Sequence, residues 1–336
     1  MPDRVTLQDV ADRAGTSRTT AHYVLTGRDR EMRIAEETRR RVLRAANELR
    51  YRPNLMARGL RTNVTRTVAL VTDAVASEAY AGALVSGALA AAAERSYLLF
   101  VCETGEDPLL EEQLLAQLLD RRVDAYLYAT FFTRDVEVPR ALQGQKVALL
   151  NCVDPAGIWP AVVPDERAAG RSAAAALCEA GHREGIWIVG EPAEKVVAGA
   201  ERMQGIREGL SEAGSQIAGV VPAQWWPESA FEQFGAFLDG GGRPSAVICL
   251  NDRIALGVYQ ALTARGLSVP DDVSVVSFDD SDLAVWLRPA LSSIALPHRE
   301  MATEAIRLLL DDGEVRPGPV RVPMPLRARD SIAPPR

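Results

Sequence analysis

The 336-residue chain has few of the residues and patterns that mark metal-binding, disulfide-bonded, secreted or membrane proteins. Its three histidines lie far apart, and its four cysteines fall in apolar contexts without CxxC spacing, which predicts reduced core thiols and no metal site. No apolar run reaches the roughly 18 residues of a membrane span. Residues 1 to 14 are polar and amphipathic, unlike a signal peptide. We therefore expect a cytoplasmic protein without a metal or cofactor.

Motifs of the common parallel-sheet enzymes are also missing. No GxGxxG follows the first predicted strand, no GxxxxGK[ST] run occurs, and no serine lies in a G-x-S-x-G context. Asp279 and Asp280 form an acidic pair, but no neighbouring base or metal motif accompanies them. The sequence therefore predicts a binding protein and not an enzyme.

Charge is distributed unevenly along the chain. Residues 1 to 66 hold fifteen arginines and eight acidic residues, a net charge of +7. The whole chain carries −7, so residues 67 to 336 carry −14. A basic head on an acidic body suits binding to DNA, because affinity for a duplex comes largely from neutralised phosphates and released counterions.

The basic head predicts a helix, a glycine turn and a second helix. The apolar face of the first helix comprises Leu7, Val10, Ala11 and Ala14. Gly15 follows where a left-handed cap ends a helix, and Ser17 is placed to cap the next one. That second helix turns Ala21, Val24 and Leu25 inward and Arg18, Thr19, His22 and Tyr23 outward. This pattern is typical of a helix-turn-helix. Similar helix pairs also occur in all-α domains that do not bind DNA, and the basic charge favours the DNA-binding interpretation.

A third helix is predicted near Ala35 to Leu49, with Val42, Leu43, Ala46 and Leu49 facing inward. Together these segments resemble the headpiece of the lac-repressor/galactose-repressor family of bacterial transcription regulators. The runs that carry the resemblance are VTLQDVA at 5–11, AGTS at 14–17, TRRRV at 38–42 and YRPN at 51–54. The resemblance continues through nearly the whole chain. It implies a sequence-specific DNA-binding regulator, expected to be a repressor, that binds a near-palindromic operator as a homodimer.

The resemblance also implies DNA contacts in two places. In the helix-turn-helix these are Thr6, Ser17, Arg18, Thr19, His22 and Tyr23; in the following segment they are Asn54, Ala57 and Leu60. Residues 54 to 61 follow Pro53 and predict a hinge helix too short to be stable alone. By resemblance Leu60 enters a minor-groove base step and Ala57 supports pairing with the twin helix. The alternative is a plain linker.

His22 and Tyr23 stand where the family usually carries Ser-Arg, and Leu55 stands where its hinge often has arginine. Neither histidine nor tyrosine makes the bidentate guanine contact of an arginine. We therefore expect an operator that differs from the family's common half-site.

From Thr67 onward, short apolar runs alternate with amphipathic helices. Strands are predicted at 67–72, 97–102, 125–129, 147–151, 185–189, 246–250 and 273–278. Helices are predicted at 82–95, 109–119, 166–180, 202–213, 229–238, 253–265 and 299–310. This alternation predicts parallel sheets with helices on both faces. The expected fold class is an N-terminal all-α helix-turn-helix headpiece plus an α/β body of two doubly wound lobes, periplasmic-binding-protein-like.

The expected domains are a headpiece at 1–52, a hinge helix and linker at 53–65, and a two-lobed effector-binding and dimerisation domain at 66–330. Lobe 1 is expected at about 66–163 and 290–318, and lobe 2 at about 164–289 and 319–330.

Ligands of doubly wound folds bind at the carboxyl ends of the strands, where several polar residues of this chain stand. By resemblance Arg202 and Asp279 are the strongest ligand contacts, with Arg202 opening a helix. Further contacts are Asn151, Asn251, Arg253 and Trp225, then Tyr80 and Phe131. Singly, such Asp and Asn residues commonly cap the next helix, and Asp252 is expected to do so. His298 replaces an aromatic residue that often lines the family's pocket.

The predicted contacts suit a polyhydroxylated ligand. Carboxylate and amide oxygens accept from hydroxyl groups, a guanidinium donates to them, and an indole face covers the apolar side of a sugar ring. A sugar is the expected effector, although a nucleoside fits the same set. Family members differ in whether the ligand strengthens or weakens DNA binding, and the residues do not decide between the two. The main alternative is a transport-type solute-binding protein, which would need a signal peptide and no basic head.

Overall fold

A computed structural model of the chain describes residues 5–51, 64–75, 82–191, 197–311 and 318–336. The chain divides into two compact units, Met1–Thr65 and Arg66–Arg336. The predicted hinge contacts Asn54, Ala57 and Leu60 and the predicted ligand contact Tyr80 lie outside the described residues. Within the described ranges, no helix is long and apolar enough to cross a membrane.

The first unit contains the three predicted helices α1 (Leu7–Ala14), α2 (Arg18–Leu25) and α3 (Glu36–Glu48). Thr6 caps α1 through a reciprocal capping box with Asp9, and Gly15 ends the helix in the left-handed conformation at φ 61°. Ser17 caps α2 as predicted, because its hydroxyl accepts from the Thr20 amide at 3.1 Å. Local hydrogen bonds therefore fix both ends of the turn between α1 and α2.

One residue of the predicted headpiece core is wrong. Val42 and Ala46 are buried as predicted, but Leu43 is 39% exposed and Ala45 takes its place in the core. Helical spacing explains the difference: Ala45 lies three residues after Val42 on the same face, whereas Leu43 is rotated away by about 100°. The core contributed by α1 and α2 consists of Val10, Ala11, Ala14, Ala21 and Val24.

The second unit is an α/β body. Its strands are β1 (Thr67–Thr72), β2 (Leu98–Glu103), β3 (Ala125–Asp135), β4 (Val147–Val153), β5 (Ala161–Pro164), β6 (Ile186–Val189), β7 (Gly219–Val221), β8 (Ala246–Cys249), β9 (Ser274–Asp279), β10 (Ser292–Ala295), β11 (Pro319–Val322) and β12 (Leu326–Arg327). Its helices are α4 (Gly82–Glu94), α5 (Pro108–Asp120), α6 (Glu166–Glu179), α7 (Val197–Glu212), α8 (Pro227–Asp239), α9 (Asp252–Thr263), α10 (Asp282–Trp286) and α11 (His298–Leu310), with a 3-10 turn at Arg140–Leu142.

The strands form two six-stranded sheets with equivalent strand order. The first runs β11-β5-β4-β3-β1-β2 and the second β12-β10-β9-β8-β6-β7; β10 and β12 pair antiparallel and the other described pairs are parallel. Helices cover both faces, as alternate residues of β1 show. Val68 and Leu70 share a core with α4 and α11, whereas Val71 packs in a second core with α5. The predicted pair of doubly wound lobes is confirmed.

The chain crosses between lobes slightly later than predicted. β10 pairs with β9 in the second sheet, and β11 pairs with β5 in the first. The later crossings therefore lie between β10 and α11 and between β11 and β12, instead of near residues 290 and 319. Both strands escaped prediction, because two serines open β10 and because β11 begins with a proline and contains an arginine. β5, β7 and β12 were missed as well, and each has at most four residues.

A bulge in β3 shapes one side of the space between the lobes. The prediction ends this strand at Ala129, but it continues to Asp135, and its register with β4 shifts between Ala129 and Arg134. Asp73 holds the bulge, because its carboxylate accepts from the Phe131 amide at 2.9 Å and from the Arg134 guanidinium at 2.9 Å. Residues 130 to 133, which lie between the two registers, therefore depart from regular sheet geometry.

Helices α6 and α7 pack backbone to backbone in the second lobe. A side chain at Gly170 would clash with the carbonyl oxygen of Arg202, and one at Gly205 would clash with that of Arg167. Only glycine permits this approach. The close packing brings Arg202 of α7 against Glu166, the first residue of α6.

Candidate functional site

A cavity of about 400 Å³ lies between the two lobes, next to the carboxyl ends of their strands. Seven predicted ligand contacts line it: Phe131, Asn151, Arg202, Trp225, Asn251, Arg253 and Asp279. The other lining residues are Ala83, Phe132, Thr133, Glu166, Ala198, Trp226, Asp280, Ser281, Asp282, Leu296 and His298. The structure brings together every predicted contact that falls within the described residues, and their contact with a ligand stays a prediction.

Arg202 forms a buried ion pair with Glu166 in the cavity wall. Its side chain is 3% exposed and that of Glu166 is 1% exposed. The guanidinium donates to both Glu166 oxygens, at 2.5 and 2.9 Å, and to the Leu250 carbonyl oxygen at 2.5 Å. It also lies 4.7 Å from the Phe278 ring centroid. The prediction that Arg202 opens its helix is wrong. Arg202 lies in the second turn of α7, because the helix already begins at Val197 and includes the alanines before Arg202.

Asp279 lies next to this buried ion pair in a strained conformation. Its carboxylate is 3.7 Å from the Arg202 guanidinium, and 29% of its side chain is exposed. Its φ of 104° is in a region that non-glycine residues rarely adopt. Burial raises the pKa of Asp279 above its ordinary value, while Arg202 opposes the shift. Arg253 also favours the charged carboxylate, whereas the carboxylates of Asp252 and Glu166 act against it.

Asp252 fixes the loop that follows Asp279. The sequence predicts that Asp252 caps a helix, but Asn251 is the cap, because its Oδ1 accepts from the Ile254 amide at 2.7 Å. Asp252 is the first helical residue, so its buried carboxylate points to the neighbouring loop. It accepts from the Ser281 amide and hydroxyl and from the Ser293 hydroxyl, each at 2.8 Å. The strained turn after β9 is thus tied to β10.

The Asn151 side chain is occupied within its own lobe. Its Oδ1 accepts from the Thr133 hydroxyl at 2.6 Å, and its Nδ2 donates to the carbonyl oxygens of Thr130 and Phe131 at 3.0 and 2.8 Å. These bonds hold the β3 bulge against β4. Asn151 is 3% exposed, so its position indicates a wall-shaping role at least as much as a ligand contact.

Aromatic side chains surround the opening of the cavity. Phe132 is 43% exposed and Trp226 is 53% exposed. Phe132 of the first lobe meets Trp225 of the second edge to face, with ring centroids 5.9 Å apart. The Arg253 guanidinium lies 4.5 Å from the Trp226 ring centroid. Both lobes therefore contribute apolar ring faces here.

His298 is the titratable group that α11 contributes to the cavity. Burial lowers the pKa of His298 to about 4, although Glu300 acts in the opposite direction. The imidazole is therefore neutral at pH 7, with one nitrogen able to donate and one able to accept.

The lining carries no excess of positive charge. Its acidic residues are Glu166, Asp279, Asp280 and Asp282, and its basic residues are Arg202 and Arg253. Glu166 neutralises Arg202, and Asp280 pairs with Arg329 at 2.6 Å outside the cavity. The lining therefore offers an anionic ligand no surplus of positive charge.

The predicted contacts do not include the cleft residues Glu166, Phe132 and Trp226. Glu166 lies two residues after the end of β5, so recognition of that strand would have revealed it. Phe132 and Trp226 follow the predicted contacts Phe131 and Trp225, and side chains of consecutive residues in a regular strand point to opposite faces. The bulge in β3 and the loop before α8 break this alternation, which lets both members of each pair line the cavity.

The second candidate surface is the exposed edge of α2 in the first unit. Arg18 and Thr19 open the helix and are exposed, as DNA contacts must be. The hydroxyl groups of Thr6 and Ser17 serve the two helix caps; the Thr6 hydroxyl donates to the Asp9 carboxylate at 2.7 Å, and the Ser17 hydroxyl lies 2.8 Å from that of Thr20, so a phosphate oxygen would have to compete with these local partners. His22 and Tyr23 are half-buried with ring centroids 6.0 Å apart, and Arg28 lies 5.7 Å from the Tyr23 ring centroid.

Comparisons with known proteins match both units. Residues 6–54 match the family model for bacterial regulatory proteins of the lacI family, and residues 174–332 match that of the periplasmic binding protein-like domain. The HTH-type transcriptional regulator AscG of Escherichia coli is 33% identical over 98% of this chain and 99% of its own length.

Two solved structures cover the same length. The lac repressor dimer bound to operator and an anti-inducer superposes with a TM-score of 0.81 at 26% identity, over 98% of this chain and all of that chain. The complex of the transcriptional regulator CelR with cellobiose superposes with a TM-score of 0.69 at 30% identity, also over 98% of this chain and all of that chain.

Proposed function

The chain belongs to the lacI family of bacterial regulatory proteins and is a DNA-binding transcriptional repressor with a ligand-binding body, and from this premise we propose that an uncharged carbohydrate bound between the lobes controls its operator affinity. The cleft is proposed as a binding site and not as an active site, since the matched relatives are regulators. A cytoplasmic location is proposed because the operator is DNA.

The proposal rests on two neighbouring groups in the cavity: Arg202 is buried and held in place, whereas Asp279 is partly exposed. Glu166 and a main-chain carbonyl fix the guanidinium in one orientation, so its remaining N–H groups are preorganised donors. Asp279 adds a partly exposed carboxylate that accepts from hydroxyl groups. A ligand with several hydroxyl groups satisfies both, whereas a phosphorylated ligand would find no surplus of positive charge in the lining. A carbohydrate in the solved CelR complex supports this choice of ligand class.

The transport-type alternative is not favoured. Its two-lobed fold is the same, but the match of residues 6–54 to a DNA-binding headpiece and the full-length similarity to regulators account for the whole chain.

Contacts between the lobes couple residues next to the cavity to the relative position of the two lobes. Arg321 of β11, in the first lobe, donates to both carboxylate oxygens of Glu201 at 2.8 and 2.9 Å. Glu201 precedes Arg202 in α7, and Phe132 contacts Trp225 across the opening. A ligand that binds the two lobe arrangements with unequal affinity shifts the equilibrium between them. We propose that this shift controls the operator affinity of the headpiece.

The regulator acts as a homodimer on double-stranded operator DNA. Direct base contacts are assigned to Arg18 and Thr19, with Tyr23 directed to a thymine methyl group or a phosphate. Leu60 is proposed to unstack a minor-groove step at the operator centre, with support from Ala57. Replacing Leu60 with alanine should weaken operator binding more than non-specific binding; equal losses would remove the wedge from the proposal.

A ligand screen followed by DNA binding tests the proposal. Neutral sugars, sugar phosphates, nucleosides and bases are added to the purified chain, and a ligand of the folded state raises the melting temperature. An operator selected from random duplex DNA then reports affinity with and without each hit by fluorescence anisotropy. A neutral sugar should raise the melting temperature and change operator affinity. Hits confined to sugar phosphates or nucleosides would contradict the proposed ligand class.

A further inference from the structure

The cleft has two chemically distinct zones. The inner zone consists of Arg202, Glu166 and Asn251, which are buried and fixed by hydrogen bonds, and of the partly exposed Asp279, 3.7 Å from Arg202. The outer zone consists of Phe132, Trp226 and Arg253 at the opening. The inner zone offers directed donors and acceptors, whereas the outer zone offers flat ring faces. One ligand that satisfies both zones needs two parts of different character.

The volume of the cavity leads to the same expectation. One hexose ring fills roughly half of the 400 Å³ at the packing density of protein interiors. The remaining space lies at the aromatic opening if the ring takes the polar interior. A ligand with a second ring would fill it.

Trp226 carries a stacking surface that the protein itself leaves half uncovered. The Arg253 guanidinium lies 4.5 Å from its ring centroid, yet 53% of the residue is exposed. Phe132 is 43% exposed and is held in place by the rings of Phe131 and Trp225, at 4.5 and 5.9 Å. The rings of Trp226 and Phe132 are therefore preorganised to cover a ligand ring. Their neighbours already restrict both side chains, so little side-chain freedom is lost on binding.

From this arrangement, and resting on the proposed function, we propose that the effector is a two-ring glycoside. Its hydroxylated ring occupies the inner zone, and a second ring in glycosidic linkage lies against Trp226 and Phe132. Both a second sugar and an aryl group present the required face.

Matched pairs of glycosides test the second ring by isothermal titration calorimetry on the full chain. The one-ring probes are methyl β-glycosides of glucose, galactose and mannose. The two-ring probes are the phenyl β-glycosides of the same sugars, together with cellobiose and lactose. We expect the best two-ring probe to bind about tenfold more tightly than its methyl partner, which is the scale of one aromatic stacking contact. Comparison of phenyl glycosides with disaccharides then identifies the second ring as aryl or sugar.

The variant Trp226→Ala localises the effect. It should remove the advantage of the two-ring probe and leave the methyl glycoside unchanged, and Trp226→Phe should restore part of the advantage. Trp286→Ala is the matched control, because Trp286 is 68% exposed in the same lobe but does not line the cavity. It should alter neither affinity.

The outcomes separate this inference from the proposed function. Carbohydrates that bind without preference for two rings, or equal losses for both probe classes in Trp226→Ala, would overturn the two-ring proposal and leave the carbohydrate effector standing. Absence of binding by every carbohydrate, with binding by a nucleoside or base, would overturn both.

Discussion

The two lobes share one strand order but present different chemistry to the cleft. β4 and β9 hold the same place in their sheets, and each carries a non-glycine residue with positive φ, Asn151 at 60° and Asp279 at 104°. Asn151 uses its amide within its own lobe, on the β3 bulge. Asp279 lies beside Arg202 and stays partly exposed. Residues on corresponding strands thus have different roles. Asn151 fixes the shape of the wall in the first lobe, and Asp279 adds an ionisable group to the cavity in the second.

The difference has a physical origin in what lies behind each wall. In the second lobe the glycine contact between α6 and α7 buries the Arg202–Glu166 pair under the cavity. In the first lobe the corresponding support is the β3 bulge, which needs an amide to satisfy its carbonyl groups. We therefore expect changes in the first wall to act mainly on stability, and changes in the exposed part of the second wall to act mainly on ligand affinity.

Loss of the buried ion pair between Arg202 and Glu166 should have the largest effect on the free energy of unfolding. Arg202→Met leaves the Glu166 carboxylate buried without its partner, and such a loss typically costs about 3–5 kcal/mol in the free energy of unfolding. Urea denaturation monitored by tryptophan fluorescence measures it. The double variant Arg202→Met with Glu166→Gln should recover a large part of the loss, because no uncompensated charge remains. A loss below about 1 kcal/mol in the single variant would mean that the pair is not buried in solution.

The equivalent residues of the two walls give a direct test of the comparison. Asn151→Ala removes three hydrogen bonds and should lower the free energy of unfolding by about 2–3 kcal/mol, with little change in ligand affinity. Asp279→Asn keeps the shape and should not lower stability, because burial raises the pKa of the carboxyl that it replaces, while ligand affinity falls by about 10-fold to 100-fold. Denaturation and calorimetry with the best sugar of the screen measure both. The reverse pattern, with affinity lost in Asn151→Ala and stability lost in Asp279→Asn, would break the proposed division of roles.

Asp279 also shows how far sequence alone could lead. Strand ends in a doubly wound fold are foreseeable, so the ends of β4 and β9 and the residues after β8 could be assigned to one cleft. The roles of Asn251 and Asp252 could not, because the choice of cap depends on a shift of one residue at the start of α9. Phe132 and Trp226 depend on a bulge and a loop, which no periodicity encodes. Arg202 was foreseen by resemblance, but its buried partner Glu166 required β5 and the glycine contact.

Protonation of His298 should make the free energy of unfolding depend on pH. Its pKa in the folded chain, about 4, lies below its ordinary value of 6.5, so the unfolded chain binds the proton more readily. The resulting stability is fully present above pH 6.5 and is lost as pH falls toward 4. Between pH 7 and pH 5 the difference in unfolding free energy between the wild type and His298→Gln should change by about 2 kcal/mol. Carboxylate titrations common to both proteins cancel in this difference. A constant difference across the range would show that His298 is solvated.

The contact between the lobes should give the smallest change in stability and still affect regulation. Arg321 and Glu201 are 42% and 25% exposed, so Arg321→Ala should cost less than about 1 kcal/mol in unfolding free energy. Arg95→Ala is a matched control, because Arg95 makes a similar two-oxygen contact with Asp311 within the first lobe, at 25% and 43% exposure. Only Arg321→Ala alters the balance between lobe arrangements, so it alone should change the ligand-induced shift in operator affinity, by about 2-fold to 5-fold. Operator titrations with and without sugar measure that shift. Equal effects in both variants would mean that Glu201 and Arg321 only stabilise the body, and the link from cavity to headpiece would then have to run through Phe132 and Trp225.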